Sequence, residues 1–150
     1  MKASRSYKPE GFHDVVPYLV VTLGTAEKLI RFLVEGFGGK ESEHRSTTPE
    51  GRLMHTQVQL GDSAVELGET DDPAKVARMF LRYFVPDVDS VHQRAVAAGA
   101  TVVMEPADQF YGERSSGVTD PCGNTWWISK QIEELSFEEI EERAKKMGKG

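Results

Sequence analysis

At 150 residues, 39% hydrophobic and 28% charged, the chain is long enough to bury one core and too ordinary in composition for a disordered or collagen-like protein. A net charge of −6, with no dense Lys/Arg stripe, speaks against nucleic acid and against an anionic membrane surface as partners. Cys122 is the only cysteine, which excludes an intramolecular disulfide and makes a reducing cytoplasm the expected compartment.

Residues 1–13 are polar and read as a flexible arm, with no secretory leader and no apolar run of the roughly 18–20 residues that a membrane-spanning helix needs. Val15 to Val21 is β-branched and aromatic, the composition of a strand, with Pro17 tolerated near its start. Thr25 then stands as N-cap to a helix whose apolar positions 26, 29, 30, 33 and 34 keep helical period, and Gly36 to Gly39 ends it. Arg52 to Leu60 and Ala64 to Leu67 read as two strands joined by a hairpin at Gly61-Asp62.

The order then repeats. Phe80 to Val85 is a strand, and Val88 to Ala98 is a helix capped by Asp87 or Asp89 and closed by Gly99. Thr101 to Met104 is the next strand, Tyr111 to Gly117 a glycine-bearing loop, and Asp120 to Asn124 a turn into the strand Thr125 to Lys130. The helix-ending glycines 39 and 99 are 60 residues apart and the hairpin glycines 61 and 123 are 62 apart, so two similar units are expected. Beyond them, Ser136 and Glu139 form a capping box, and Glu141–Lys145 and Glu142–Lys146 are favourable i,i+4 pairs. The expected organisation is an arm at 1–13, a domain over 14–131 with halves at about 14–70 and 78–131, and a C-terminal helix within 132–150.

Strand alternation sorts the side chains into two faces. A two-residue hairpin at Gly61-Asp62 sets Leu60 opposite Ser63 and Gln57 opposite Glu66, so that His55, Gln57, Gln59, Ala64 and Glu66 share a polar face. Met54, Val58, Leu60, Val65 and Leu67 fall on the face toward the helices, with Thr56 the exception. The same parity puts Phe80, Arg82 and Phe84 together, with Thr125, Trp127 and Ser129 from the last strand, and sends Trp126 under a helix. Aromatic walls with a few placed polar groups are the composition of a small-molecule pocket.

The order of elements, Pro17-Tyr18-Leu19-Val20-Val21, Phe37-Gly38-Gly39, His55 through Gly61-Asp62-Ser63, Tyr111-Gly112-Glu113-Arg114, and Asp120-Pro121-Cys122-Gly123-Asn124-Thr125-Trp126-Trp127 together resemble the vicinal oxygen chelate superfamily. That superfamily includes glyoxalase I, bleomycin-resistance proteins and extradiol dioxygenases, and the nearer match is its PhnB-like branch. The resemblance implies an α+β fold of two βαβββ repeats, with curled mixed sheets around a concave cavity, followed here by the C-terminal helix. It places the metal ligands of the family at Tyr18, Glu66, Phe80 and Trp127, puts the loop of Tyr111 and Arg114 at the cavity mouth, and makes a homodimer the expected assembly. Only Glu66 is a usual ligand; Phe80 and Trp127 have no lone pair to give, and Tyr18 ligates only as a phenolate. No cofactor is therefore expected, with a divalent metal the disfavoured alternative.

Three functions stay open on these residues. The first is a binding protein for a small aromatic or anionic molecule, using Tyr18, Gln57, Phe80, Arg82, Tyr111, Arg114 and Trp127. The second is an enzyme, a metal-dependent lyase, isomerase or dioxygenase using Glu66 and His55, or a metal-free variant in which one of the two is a general base. The third is a protein-interaction module with a vestigial cavity. Arg82 is open between clamping an anion and neutralising Glu66, and Arg114 is expected to pair with Glu113 or Asp120. His13, His44 and His92 are expected in solvent, and Cys122 as an inert turn residue.

Overall fold

The computed structural model describes residues 1–148, so residues 149–150 of the expected C-terminal segment lie outside the described residues. Among the described residues nine strands form two mixed sheets. In the first, β1 (Tyr18–Thr22) pairs in parallel with β5 (Ser63–Thr70), which pairs antiparallel with β4 (Leu53–Leu60); the short β2 (Lys40–Glu41) and β3 (Ser46–Thr47) lie along β4. In the second, β6 (Phe80–Phe84) pairs in parallel with β9 (Thr125–Gln131), and β8 (Glu113–Thr119) and β7 (Thr101–Asp108) follow antiparallel. The helix of the first half, α1 (Ala26–Arg31), runs on as a π-helical turn over Phe32–Gly36. The second half has α2 (Val88–Ala97), and α3 (Phe137–Lys146) follows the second sheet.

One apolar core serves both halves. Leu19, Val58 and Leu67 from the first sheet and Val118, Trp126 and Ile128 from the second lie in it, together with Leu29, Phe32 and Leu33. Phe37 joins the halves, its ring 4.8 Å from Phe32 and 5.0 Å from both Tyr83 and Trp126 in edge-on geometry. The helices meet at Gly36, where a Cβ would lie 3.2 Å from Ala95 Cα.

The expected curl of the sheets around a cavity is not present. Both sheets are open: β1 and β6 are each paired on one side only, to β5 and to β9, and no pairing among the described residues links the two sheets. Phe80, Phe84 and Tyr18, expected on a cavity wall, are 64%, 55% and 39% exposed. The aliphatic residues of both halves are buried on the helix side, and the opposite faces keep their aromatics exposed with no second sheet packed over them.

Two carboxylates fix the turns of this fold. Glu69, near the end of β5, accepts from the Ala26 backbone N–H at 3.0 Å and from that of Leu53 at 2.9 Å. It thus caps α1 from 43 residues away, in place of Thr25, whose hydroxyl donates to the Thr22 carbonyl. Burial pushes the Glu69 carboxyl up, but backbone N–H donors at Leu53, Ala26, Gly24 and Thr25 outweigh it and hold the group below its ordinary value. In the turn before β9, Asp120 accepts from the backbone N–H groups of Cys122 and Asn124, the Asn124 side-chain amide and the Trp126 indole N–H.

Three local expectations also change. The loop read at Tyr111 to Gly117 is mostly strand β8. Met54 is exposed rather than inward, because the register of β4 slips at its start: Ser46 faces His55 while Thr47 faces Leu53. His92 is buried against Glu105, with Nε2 3.3 Å from the carboxylate, rather than solvated. The capping box of α3 and both of its i,i+4 pairs form as read, at 3.9 and 3.3 Å.

Candidate functional site

The polar face of the first sheet gathers four of the expected residues. Tyr18 and Gln57 are both register partners of Glu66, on either side of it. His55 Nε2 lies 2.9 Å from Glu66 Oε1, and the rings of Tyr18 and His55 are 6.0 Å apart. The Tyr18 hydroxyl donates to the Met54 carbonyl, and partial burial followed by the neighbouring Glu66 charge raises its pKa.

The corresponding face of the second sheet is aromatic. The rings of Phe80 and Trp127 are 5.9 Å apart, and the Trp127 indole N–H donates to the Tyr111 hydroxyl at 3.4 Å. Arg82 pairs with Glu113, not with Glu66, and its guanidinium lies 4.7 Å from the Phe84 ring centre. Below it the Ser115 and Ser129 hydroxyls, both fully buried, are hydrogen-bonded at 3.0 Å. Trp127 keeps its place because Gly117 has no side chain: a Cβ there would fall 2.6 Å from the indole Cζ3.

Arg114 is not part of either face. Its guanidinium is held by Asp89 on α2, at 2.8 Å through two nitrogens, and by Asp108 at 3.0 Å. These partners replace the expected Glu113 and Asp120. Cys122 donates weakly to the Thr25 carbonyl, and burial pushes its thiol pKa up, away from the thiolate. A cavity of about 500 Å³ lies elsewhere, between the β4–β5 hairpin and β6, against Leu60, Val65, Leu81, Tyr83 and Trp126. Of the expected ligand-binding residues only Arg82 reaches it; His13, bonded to Ser63 at 3.4 Å, borders it instead of standing free.

The residues at the family's metal positions do not fit a metal. Phe80 and Trp127 offer no donor atom, and Tyr18 is moved away from ionisation. Phe80 and Trp127 are also diagonal neighbours: Phe80 pairs with Thr125 and Trp127 with Arg82. Among the described residues no group of three or more His, Cys, Asp or Glu is arranged to hold a metal ion. No helix among them is long and apolar enough to cross a membrane.

Known proteins share this sequence and fold. An uncharacterised protein of Mycobacterium tuberculosis is 32% identical over 145 residues, covering 89% of this chain and 84% of that protein. Among solved structures, TioX from Micromonospora sp. ML1 superposes with a TM-score of 0.63 at 25% identity, over 83% of this chain and 100% of that one. The structure described as a putative 3-demethylubiquinone-9 3-methyltransferase, PhnB protein, from Bacillus cereus gives 0.61 at 14% identity, over 79% and 99%. A sequence profile of the Glyoxalase/Bleomycin resistance protein/Dioxygenase superfamily matches residues 15–128, and with the relative at 32% identity this places the chain in that superfamily, on a small-molecule-binding fold with no recognisable metal-ligand cluster among the described residues.

Proposed function

We propose that this protein binds a small aromatic or anionic molecule on the open face of its second sheet, without a divalent metal. The observation that carries the reading is the exposed Phe80 ring standing beside Trp127, with Tyr111 and the Arg82–Glu113 pair at hand. Aromatic surface left this open on a sheet is costly in water unless something covers it. Glu113 engages one nitrogen of Arg82 and already offsets its charge, so stacking supplies most of the affinity and Arg82 the polar selectivity. The exposed aromatics and the one-sided edges of β1 and β6 also support a homodimer, in which a second copy supplies the cover. The Tyr111-Gly112-Glu113-Arg114 and Asp120-Pro121 motifs support the PhnB-like branch, and the lone unpaired cysteine supports the cytoplasm.

A panel of aromatic and anionic compounds, screened by thermal shift and followed by tryptophan fluorescence, tests the reading. The expected result is saturable binding that Trp127→Ala weakens by about tenfold, the loss of one stacking partner. A panel in which nothing stabilises the protein would remove it. A mass near 16.7 kDa by light scattering, rather than about twice that, would remove the homodimer.

A second reading rests on the His55–Glu66 contact, a base and its orienting carboxylate on an accessible face. In it the protein is an enzyme whose turnover falls in Glu66→Gln; unchanged turnover in that variant would end it.

A further inference from the structure

The junction between the halves carries two neighbouring cavities, away from both open faces. After β5 the chain crosses to β6 through residues 71–79, and both cavities border Thr22 and Arg78. One, of about 640 Å³, is walled by Leu23, Pro73 and Val76. The other, of about 410 Å³, is bordered by Thr25, Lys28, Cys122 and Gly123. Volumes of this size are those of small-molecule sites.

The charge balance of the second cavity is unusual for this molecule. Arg52, Arg82, Arg143 and Lys146 also line cavities, and each has a partner: the Glu69 carbonyl, Glu113, Glu133 and Glu142. The side chains of Lys28 and Arg78 have neither a hydrogen bond nor an ion pair among the described residues. Two of the nearby carboxylates, Asp120 and Glu69, are spent on other groups. Asp120 borders the cavity, yet its two oxygens take four donors from its own turn and from Trp126. Glu69 is occupied by the Leu53 and Ala26 N–H groups, and Asp71 borders the apolar cavity but not the cationic one.

Arg78 is also positioned rather than loose. Its side chain lies flat on Gly123, where a Cβ would stand 2.9 Å from Nε and 3.3 Å from Cδ. That glycine has φ of +88°, so the turn and the arginine both depend on it. The result is a guanidinium laid along the rim of a cavity whose carboxylate, Asp120, is turned into its own turn, while Asp71, which shares the apolar cavity with Arg78, forms no ion pair with it.

We propose that this junction is a second ligand site, which takes an organic anion. A carboxylate or phosphate monoester is held between Arg78 and Lys28, and an apolar body rests on Leu23, Pro73 and Val76. Arg78 offers planar paired donors to the anion, and Lys28 a mobile point charge. Such a ligand touches the first half at Lys28, the crossing segment at Arg78 and the second half at Gly123. Binding therefore stabilises the docked halves and raises the melting temperature.

Phenyl phosphate, phenylacetate and inorganic phosphate, titrated calorimetrically into the full chain at low salt, test the site. At least one aromatic anion is expected to bind saturably and about tenfold more tightly than inorganic phosphate. The preferred one of phenyl phosphate and phenylacetate identifies the headgroup. Arg78→Gln and Lys28→Gln, both at exposed positions, are each expected to weaken it about tenfold while circular dichroism is unchanged. Binding that survives both substitutions but disappears in Trp127→Ala places the anion on the open face and overturns the proposal. So does the lack of saturation by any probe up to about 10 mM, well beyond the millimolar range of weak sites.

Discussion

Asp120→Ala is expected to cost the fold about 3–5 kcal/mol, a large part of the stability of a domain this size. The carboxylate is 4% exposed and receives four hydrogen bonds, including one at 2.8 Å from the Trp126 indole N–H. Alanine leaves those donors without an acceptor, and each buried orphan costs about 1–3 kcal/mol unless water reaches it. Water has little access to Trp126, which is 2% exposed and packed edge-on against Phe37. Asp120→Asn keeps one acceptor but turns a second donor toward groups that already donate, so an intermediate loss is expected. Urea unfolding followed by tryptophan fluorescence reads the difference. A variant within about 1 kcal/mol of the parent would mean that the turn tolerates rehydration and that Asp120 does not organise it.

The same turn shows what a sequence tells and what it withholds. Asp120 to Asn124 is legible as a turn because its residue types are turn formers, but nothing local says that the carboxylate reaches Trp126. In the first half, alternation was enough to pair Gln57 with Glu66 and Leu60 with Ser63, which is the observed register. That register brings the His55–Glu66 contact within reach, so this part of the candidate site was readable. Strand β8 was not. Arg114-Ser115-Ser116-Gly117 has weak strand propensity, and it is a strand because β7 and β9 flank it and because Trp127 requires a residue without a side chain at position 117. The partners of Arg82 and Arg114 were equally hidden, since Glu113 lies 31 residues and Asp89 25 residues away along the chain. The open sheets follow from which face each half buries, and composition alone does not fix how two such halves dock. Arg78 and Lys28 carry no motif; only the folded chain puts them beside one cavity.

Glu69→Gln is expected to lower stability at neutral pH by about 2–4 kcal/mol, and the loss should vanish in acid. The carboxylate is a charged acceptor for the start of α1 and the start of β4 at once, and hydrogen bonds to a charged group contribute about 1.5–3 kcal/mol each. Because its folded pKa is depressed, the contribution is complete above the unfolded value of about 4.3 and is lost as the pH falls through the folded value. Glutamine has no such titration. The gap between parent and variant should therefore be constant from neutral pH down to about pH 5 and narrow below it, as the parent acquires a neutral side chain of the same shape. Urea unfolding at a series of pH values between about 7 and 3 measures this gap directly. A gap that stays the same across the whole range would show that shape at position 69, and not the charge that caps α1, is what the fold depends on.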